Sequence, residues 1–202
     1  METSLFTPEI REHLMQHGRF NWVREILFAM SLYFISKMPN EYPIFFYTLL
    51  FVLMGVSLFN MWLCQVLNEW TLSNLKIWDW SFALSSTLQN ILSSILISAV
   101  FYVDGPLSWS GFAALMMWIS TLEFMAQLYY HKTNYFYPLM LIVVVPALAS
   151  LCIHVEFDLK VSLIVSFVAS LYFFSIATRV EKWRQKNKQI HALYQKLKKS
   201  GR

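Results

Sequence analysis

Long apolar segments alternate with short polar ones along this chain, and each apolar segment is long enough to cross a membrane as a helix. The apolar runs occupy residues 22–38, 43–67, 78–103, 107–130, 135–153 and 159–178. A helix of about 20 residues spans the roughly 30 Å hydrocarbon core of a bilayer. Trp and Tyr gather at the ends of these runs, as they do at membrane interfaces. The pattern predicts an all-α integral membrane protein built as a six-transmembrane helix bundle.

The segments before and after the runs predict three regions. Thr7, Pro8 and Glu9 provide a capping hydroxyl, a proline at the first helical position and an acid in the first turn. Gly18 can end that helix. We therefore expect an interfacial amphipathic helix over residues 1–20, the transmembrane bundle over 21–179 and a linker over 180–202. Arg24 and Glu25 make the first span the least apolar.

Composition and charge support membrane insertion and predict its direction. The 202 residues are 57% hydrophobic and 14% charged, whereas soluble domains carry about 25% charge. Most Lys and Arg residues lie near the two chain ends, which the positive-inside rule places in the cytoplasm. We expect a multi-pass membrane protein with both termini cytoplasmic. The basic balance indicates orientation and no nucleic-acid partner, and the short outer loops leave ligand binding to the bundle.

The last apolar run continues directly into a charged helix with a heptad seam. The seam residues follow one another at alternating spacings of three and four: Phe173, Ile176, Val180, Trp183, Asn187, Ile190, Tyr194 and Leu197. This period lets two helices supercoil with one stripe buried, and a polar residue such as Asn187 commonly fixes their register. We predict a homodimer through a C-terminal cytoplasmic coiled-coil signalling helix. The alternative is a basic amphipathic tail that lies on anionic lipid.

The third span carries an unusual polar face. Ser86, Asn90, Ser94 and Ser98 recur at i+4 spacing, and Ser85, Gln89 and Ser93 lie beside them. Unpaired polar groups are costly in hydrocarbon, so this face should turn into the bundle. Two interpretations stay open. The face can provide hydrogen bonds between helices, or it can form part of a ligand site.

Glu123 is a charged residue deep within a predicted span. The tight turn at residues 104–106 makes the third and fourth spans an antiparallel hairpin. Equal helical rise then predicts a polar cluster of Glu123, Gln127, Thr87, Gln89 and Asn90. The pattern places no cationic side chain at that depth, so we expect no buried ion pair. The cluster is either a switch or pocket floor, or an uncharged glutamic acid that braces two helices.

Aromatic residues concentrate in the outer half of the predicted bundle, where serine hydroxyls accompany them. An apolar pocket with a few polar anchors suits an amphiphile, and ordinary aromatic packing is the alternative. The candidate ligand-binding residues are Trp109, Tyr172, Ser98, Ser110, Phe112 and Tyr102. The sequence has no Cys/His cluster with metal-ligand spacing and none of the common catalytic motifs, so it predicts no metal, no cofactor and no catalytic residue.

Two short motifs resemble a family of membrane receptors. The Asp104-x-x-x-x-Trp109 pattern and the run Ser170-Leu171-Tyr172-Phe173-Phe174 resemble segments of the six-span sensor region of α-hydroxyketone quorum-sensing histidine kinases of the CqsS/LqsS type. The resemblance covers residues 56–184 and implies the bacterial inner (plasma) membrane as the location. It implies that Trp109 contacts the ligand head group. It also implies that Tyr172 stands where a smaller side chain of the family sets tail length, so the bulkier Tyr172 should shorten the pocket.

These observations predict a sensor module of a histidine-kinase type receptor. A small amphiphilic signal, by resemblance an α-hydroxyketone, would bind within the bundle, and the last helix would carry the response to an output domain beyond residue 202. The alternatives are the six-span sensor of a diguanylate cyclase and a small transporter or channel subunit that uses Glu123.

Overall fold

A computed structural model describes most of the chain as helices. The described residues are 6, 8–66, 75–105, 107–129 and 133–153, followed by 167, 170–172, 174–179, 181, 182 and 185. The helices are α1 (Pro8–Ile35), α2 (Met38–Glu41), α3 (Pro43–Val66), α4 (Leu75–Asp104), α5 (Trp109–Tyr129) and α6 (Thr133–Ile153). Every element in this part of the chain is an α-helix, which confirms the all-α prediction. The described residues between 167 and 185 are also helical.

Helix α1 corrects the prediction for the N-terminal region. It begins at Pro8, as the capping pattern predicts, but it continues through Gly18 as far as Ile35. The prediction that Gly18 ends the helix is wrong. A glycine in a helix interior costs only about 1 kcal/mol relative to alanine, and α1 packs along both α3 and α5. The expected surface helix and most of the first predicted span form one continuous helix, Pro8–Ile35.

The connection between α4 and α5 forms the tight hairpin that the sequence predicts. Gly105 has a φ of 77°, the left-handed conformation that commonly terminates a helix. Ser108 caps α5, since its Oγ accepts a hydrogen bond from the Gly111 amide at 2.9 Å. Asp104 also holds the end of α1, because its carboxylate accepts from the Ser36 hydroxyl and from the Lys37 amide. The ends of α1 and α4 are thus fixed to one another.

The helices pack as a four-membered ring with a fifth helix against it. Helix α1 contacts α3 and α5, and α4 closes the ring by contacting α3 and α5 as well. Helix α6 packs against α4 and α5. At the opposite end of the ring from Asp104, the Arg11 guanidinium binds both carboxylate oxygens of Asp79 at 2.8 Å. Helices α1 and α4 are therefore tied by polar contacts at both ends.

The polar face of α4 turns inward, as predicted. Ser85, Ser86, Gln89, Asn90, Ser93 and Ser94 are all buried. Gln89 Oε1 accepts a hydrogen bond of 2.8 Å from Asn60 Nδ2 on α3, and the Ser85 hydroxyl donates to Asn60 Oδ1. The Ser94 hydroxyl donates to the Val143 carbonyl of α6 at 3.1 Å. These contacts show this face joining α4 to its neighbours, which is the helix-pairing interpretation.

Apolar side chains cover much of the outward surface. Within the described residues, the two segments Pro43–Val66 and Ile77–Asp104 are long and apolar enough to cross a membrane. Only 33% of the apolar window in Pro43–Val66 is buried inside the molecule. Phe51 is 81% exposed and Ile44 is 85% exposed. That these two segments and the other predicted spans cross a membrane stays a prediction.

Asn60→Leu should lower the free energy of unfolding in detergent by about 1–2 kcal/mol, because it strands the buried amide of Gln89. The Asn60→Leu/Gln89→Leu double variant should recover most of that loss. Ser85 loses Asn60 as its acceptor in both variants, but its hydroxyl can donate to the Phe82 carbonyl instead. Reversible denaturation measures both values, with Phe59→Leu as the control on an exposed neighbouring position. Additive losses in the double variant would contradict the assigned pairing.

Candidate functional site

Glu123 connects α5 to the helical segment at residues 174–179. Its Oε1 accepts a hydrogen bond of 2.8 Å from the Tyr172 hydroxyl. The same oxygen lies 3.4 Å from Nη1 of Arg179, which forms an ion pair with it. The Arg179 guanidinium also lies 6.0 Å from the centre of the Tyr172 ring, within cation–π range. We call these three residues the Glu123 junction.

The described partners of Glu123 are Tyr172 and Arg179, which were not members of the polar cluster that the sequence predicts. The Glu123 side chain is 42% exposed and its partner Arg179 is 46% exposed, so this ion pair is not a buried one. The sequence did not predict Arg179 as a partner of Glu123. Helical rise locates a Cα, whereas a long arginine side chain can extend its charge well beyond its own Cα. Gln89 binds Asn60 instead, and the Gln127 side chain lies outside the described residues. Asn90 is buried and Thr87 half-buried on α4.

Glu25 carries a carboxyl group that is buried inside the bundle. It is buried between α1 and α5, where Oε1 accepts a hydrogen bond of 3.1 Å from the Ser120 hydroxyl. The Thr121 hydroxyl lies 3.5 Å from both carboxyl oxygens. Sequence analysis treated Glu25 only as a residue that shortens the first span. The adjacent hydroxyls of Ser120 and Thr121 in an otherwise apolar run were the available signal for a partner.

The structure separates the candidate ligand-binding residues into different places. Trp109 and Phe112 lie on one groove wall, whereas Tyr172 contacts Glu123, about 21 Å further along α5 by helical rise. Ser110 is buried and its Oγ lies 2.9 Å from that of Ser108. Tyr102 is exposed on α4. The Trp109 and Tyr172 side chains therefore do not line a common pocket.

Ser98 is a half-buried residue in the C-terminal half of α4, and its hydroxyl oxygen is buried. Its Oγ has no hydrogen-bond partner among the residues that the structure describes. Whether it contacts a ligand stays a prediction.

The groove that contains Trp109 runs between α1 and α5 and has a volume of about 580 Å³. Leu27, Phe28 and Ile35 form its α1 wall, with Ser31 among them and Arg24 at its inner end. Phe112, Ala113 and Met116 continue the α5 wall below Trp109, which is 83% exposed at the rim. Grooves of this size commonly hold small ligands. We call it the α1/α5 groove.

The predicted dimer seam lies almost wholly outside the described residues. This applies to the seam positions Val180, Trp183, Asn187, Ile190, Tyr194 and Leu197. Ile176, the seam position four residues before Val180, is described and is only 1% exposed because it packs into the chain's own core. At this level the seam face therefore contacts the same chain.

No protein-family model matches the chain, and comparisons with curated proteins and with solved structures find no match either. The resemblance to quorum-sensing kinases stays an expectation from the two short motifs.

The Ser120→Ala/Thr121→Val double variant should lower the free energy of unfolding by about 2 kcal/mol. It removes the Ser120 hydrogen bond to the buried Glu25 carboxyl and the nearby Thr121 hydroxyl, which donates mainly to the Met117 carbonyl at 2.9 Å. In a Glu25→Leu background the same two substitutions should cost much less. A denaturation cycle in detergent measures the coupling. Ser31→Ala is the matched control, since that hydroxyl donates to the Phe28 carbonyl of its own helix. Equal costs in both backgrounds would refute the pairing.

Proposed function

We propose that this chain is the membrane-embedded sensor module of a bacterial signal receptor of the histidine-kinase type. In this proposal the bundle detects a small amphiphile, and the helix that contains Tyr172 and Arg179 transmits the change to the cytoplasm. The observation that carries the proposal is the Glu123 junction. It fastens the last helix to α5 at the point where the apolar run gives way to the charged tail.

The Glu123 junction is weak enough to act as a switch. The ion pair between Arg179 and Glu123 is nearly half exposed on both sides, and pairs of this kind contribute only about 0–1 kcal/mol. A ligand shifts a two-state element by its differential affinity for the two states. Modest ligand-binding energy is therefore enough to break the ion pair between Arg179 and Glu123, unlike the buried hydrogen bonds of Asn60 or Glu25.

The distribution of polar and apolar surface supports a membrane setting for this module. Serine and amide side chains of α4 are buried, while large apolar side chains of α3 and α4 face outward. Soluble monomers rarely expose apolar patches of such extent. With both termini in the cytoplasm, as the charge distribution predicts, the Glu123 junction would lie towards the inner surface and the rim of the α1/α5 groove towards the outer surface.

Cysteine cross-linking in native membranes tests the dimer. After Cys64 and Cys152 are replaced by alanine, single cysteines at Val180, Trp183 and Asn187 should form disulfide dimers, because heptad positions face the twin helix. Cysteines at Glu181 and Gln185 are the off-seam controls and should react several-fold more slowly. Uniform reactivity, or no dimer at any position, would leave a tail that lies on lipid and would remove the dimeric relay.

The Glu123 junction itself is tested in the same assay. Glu123→Gln and Arg179→Gln should each change the cross-linking rate at Trp183→Cys by about two- to fivefold, the equivalent of an interaction of up to 1 kcal/mol. The double variant should change it no further than either single one. Glu41→Gln, an exposed acid on α2, is the control and should have no effect. Unchanged rates in both junction variants would show that the junction does not set the helix position.

A further inference from the structure

Arg24 places a positive charge at the inner end of the α1/α5 groove, where the Glu25 carboxyl attracts it without forming a hydrogen bond to it. Arg24 is half-buried there, and its Nε is buried without a hydrogen-bond partner among the described residues. The neighbouring acid does not bind it, since Glu25 turns into the bundle to meet Ser120. Successive helical residues do not face each other, so Arg24 stays on the groove wall. A guanidinium in such a place is costly unless an anion completes it.

The rest of the groove offers an apolar channel that leads to this charge. Leu27 and Ile35 on α1 face Phe112 and Met116 on α5, and all four line the groove. Ser31 lies among them, but its hydroxyl already donates to the Phe28 carbonyl at 2.7 Å. The rise from Arg24 to Ile35 is about 16 Å. A ligand that fills the groove therefore needs an anionic end and an extended apolar body.

We infer that the α1/α5 groove binds an amphiphilic monocarboxylate, with its carboxylate on the Arg24 guanidinium and its alkyl chain directed towards Trp109. This inference rests on the proposed function and names the class of its signal. A carboxylate carries one charge and two coplanar acceptor oxygens, which match a single guanidinium. A phosphate monoester carries between one and two negative charges at neutral pH and would be only partly neutralised.

Membrane depth distinguishes a free acid from a phospholipid. If the groove rim lies at the outer surface, Arg24 lies near the middle of a hydrocarbon core of about 30 Å. A phospholipid keeps its phosphate at the interface, so its head group cannot contact Arg24 while its chains remain in the leaflet. A free acid has no other polar group to hold at the surface and can enter the groove with its carboxylate first.

Photolabelling of the full chain in lipid nanodiscs tests the inference. The probe is dodecanoic acid with a terminal diazirine, and the neutral comparison is the corresponding alcohol. The acid should label residues near Ile35 and Trp109, at least about tenfold more than the alcohol does. Arg24→Gln should reduce labelling by the acid to the level of the alcohol, and Arg24→Lys should retain part of it. Lys37→Gln removes an exposed cation outside the groove lining and should leave labelling unchanged.

A second variant covers the case in which Arg24→Gln does not fold. Ala113→Phe fills the groove and should abolish labelling by both probes while Arg24 remains. Equal labelling by acid and alcohol, or labelling by the acid that is insensitive to Arg24→Gln and Ala113→Phe, would overturn the inference. Labelling at the expected residues without any change in Trp183→Cys cross-linking would support the monocarboxylate site and refute the relay. A working Glu123 junction without acid-selective labelling would do the reverse.

Discussion

Hydrogen bonds between buried polar side chains hold this bundle in register, because the apolar surface alone cannot specify how its helices align. Apolar residues face outward and inward alike, so many rotations of α3 or α5 would bury similar area. The Asn60–Gln89 contact fixes α3 against α4, and the Ser120–Glu25 contact fixes α5 against α1. Each pairs groups that would cost several kcal/mol if left alone in hydrocarbon. A shift of one helix along its neighbour is therefore unfavourable, because it would leave these buried polar groups without hydrogen-bond partners.

This constraint separates a fixed part of the molecule from a part that can move. The ring of α1, α3, α4 and α5 has buried polar contacts in its interior, and its ends are tied by Arg11 to Asp79 and by Ser36 to Asp104. The segment around Tyr172 and Arg179 is held by a half-exposed carboxylate and by apolar contact through Ile176. Force applied to the tail, or a ligand that strains the bundle, should break the contacts of this segment before those of the ring.

The sequence predicted what depends on periodicity and turn chemistry. Helix bounds for α3 to α6 agree within a few residues, and the polar face of α4 is buried, since both follow from local spacing. Side-chain partners did not follow. Counting helical rise assigned partners on α4 to Glu123. The actual partners depend on which helix lies alongside and on how far a side chain extends. The prediction of a helix end at Gly18 was wrong because packing on both sides of α1 outweighs the small cost of a glycine in a helix. The contacts of Glu25 depend on α1 lying next to α5.

Competition for one face of the last helix gives the proposed relay a physical basis. In the predicted heptad pattern Ile176 and Val180 are successive seam positions, which would share one stripe of a helix. The structure gives Ile176 to the chain's own core, whereas in the proposed dimer the stripe from Val180 onwards contacts the twin. One stripe cannot contact both partners at the same level, so in the proposed relay the change of partner would occur near Arg179. Release of the Glu123 junction would allow the twin to extend its contact upwards. Stronger attachment of the last helix to α5 would shorten the proposed coiled coil. The number of seam positions paired with the twin helix would then depend on the state of the bundle.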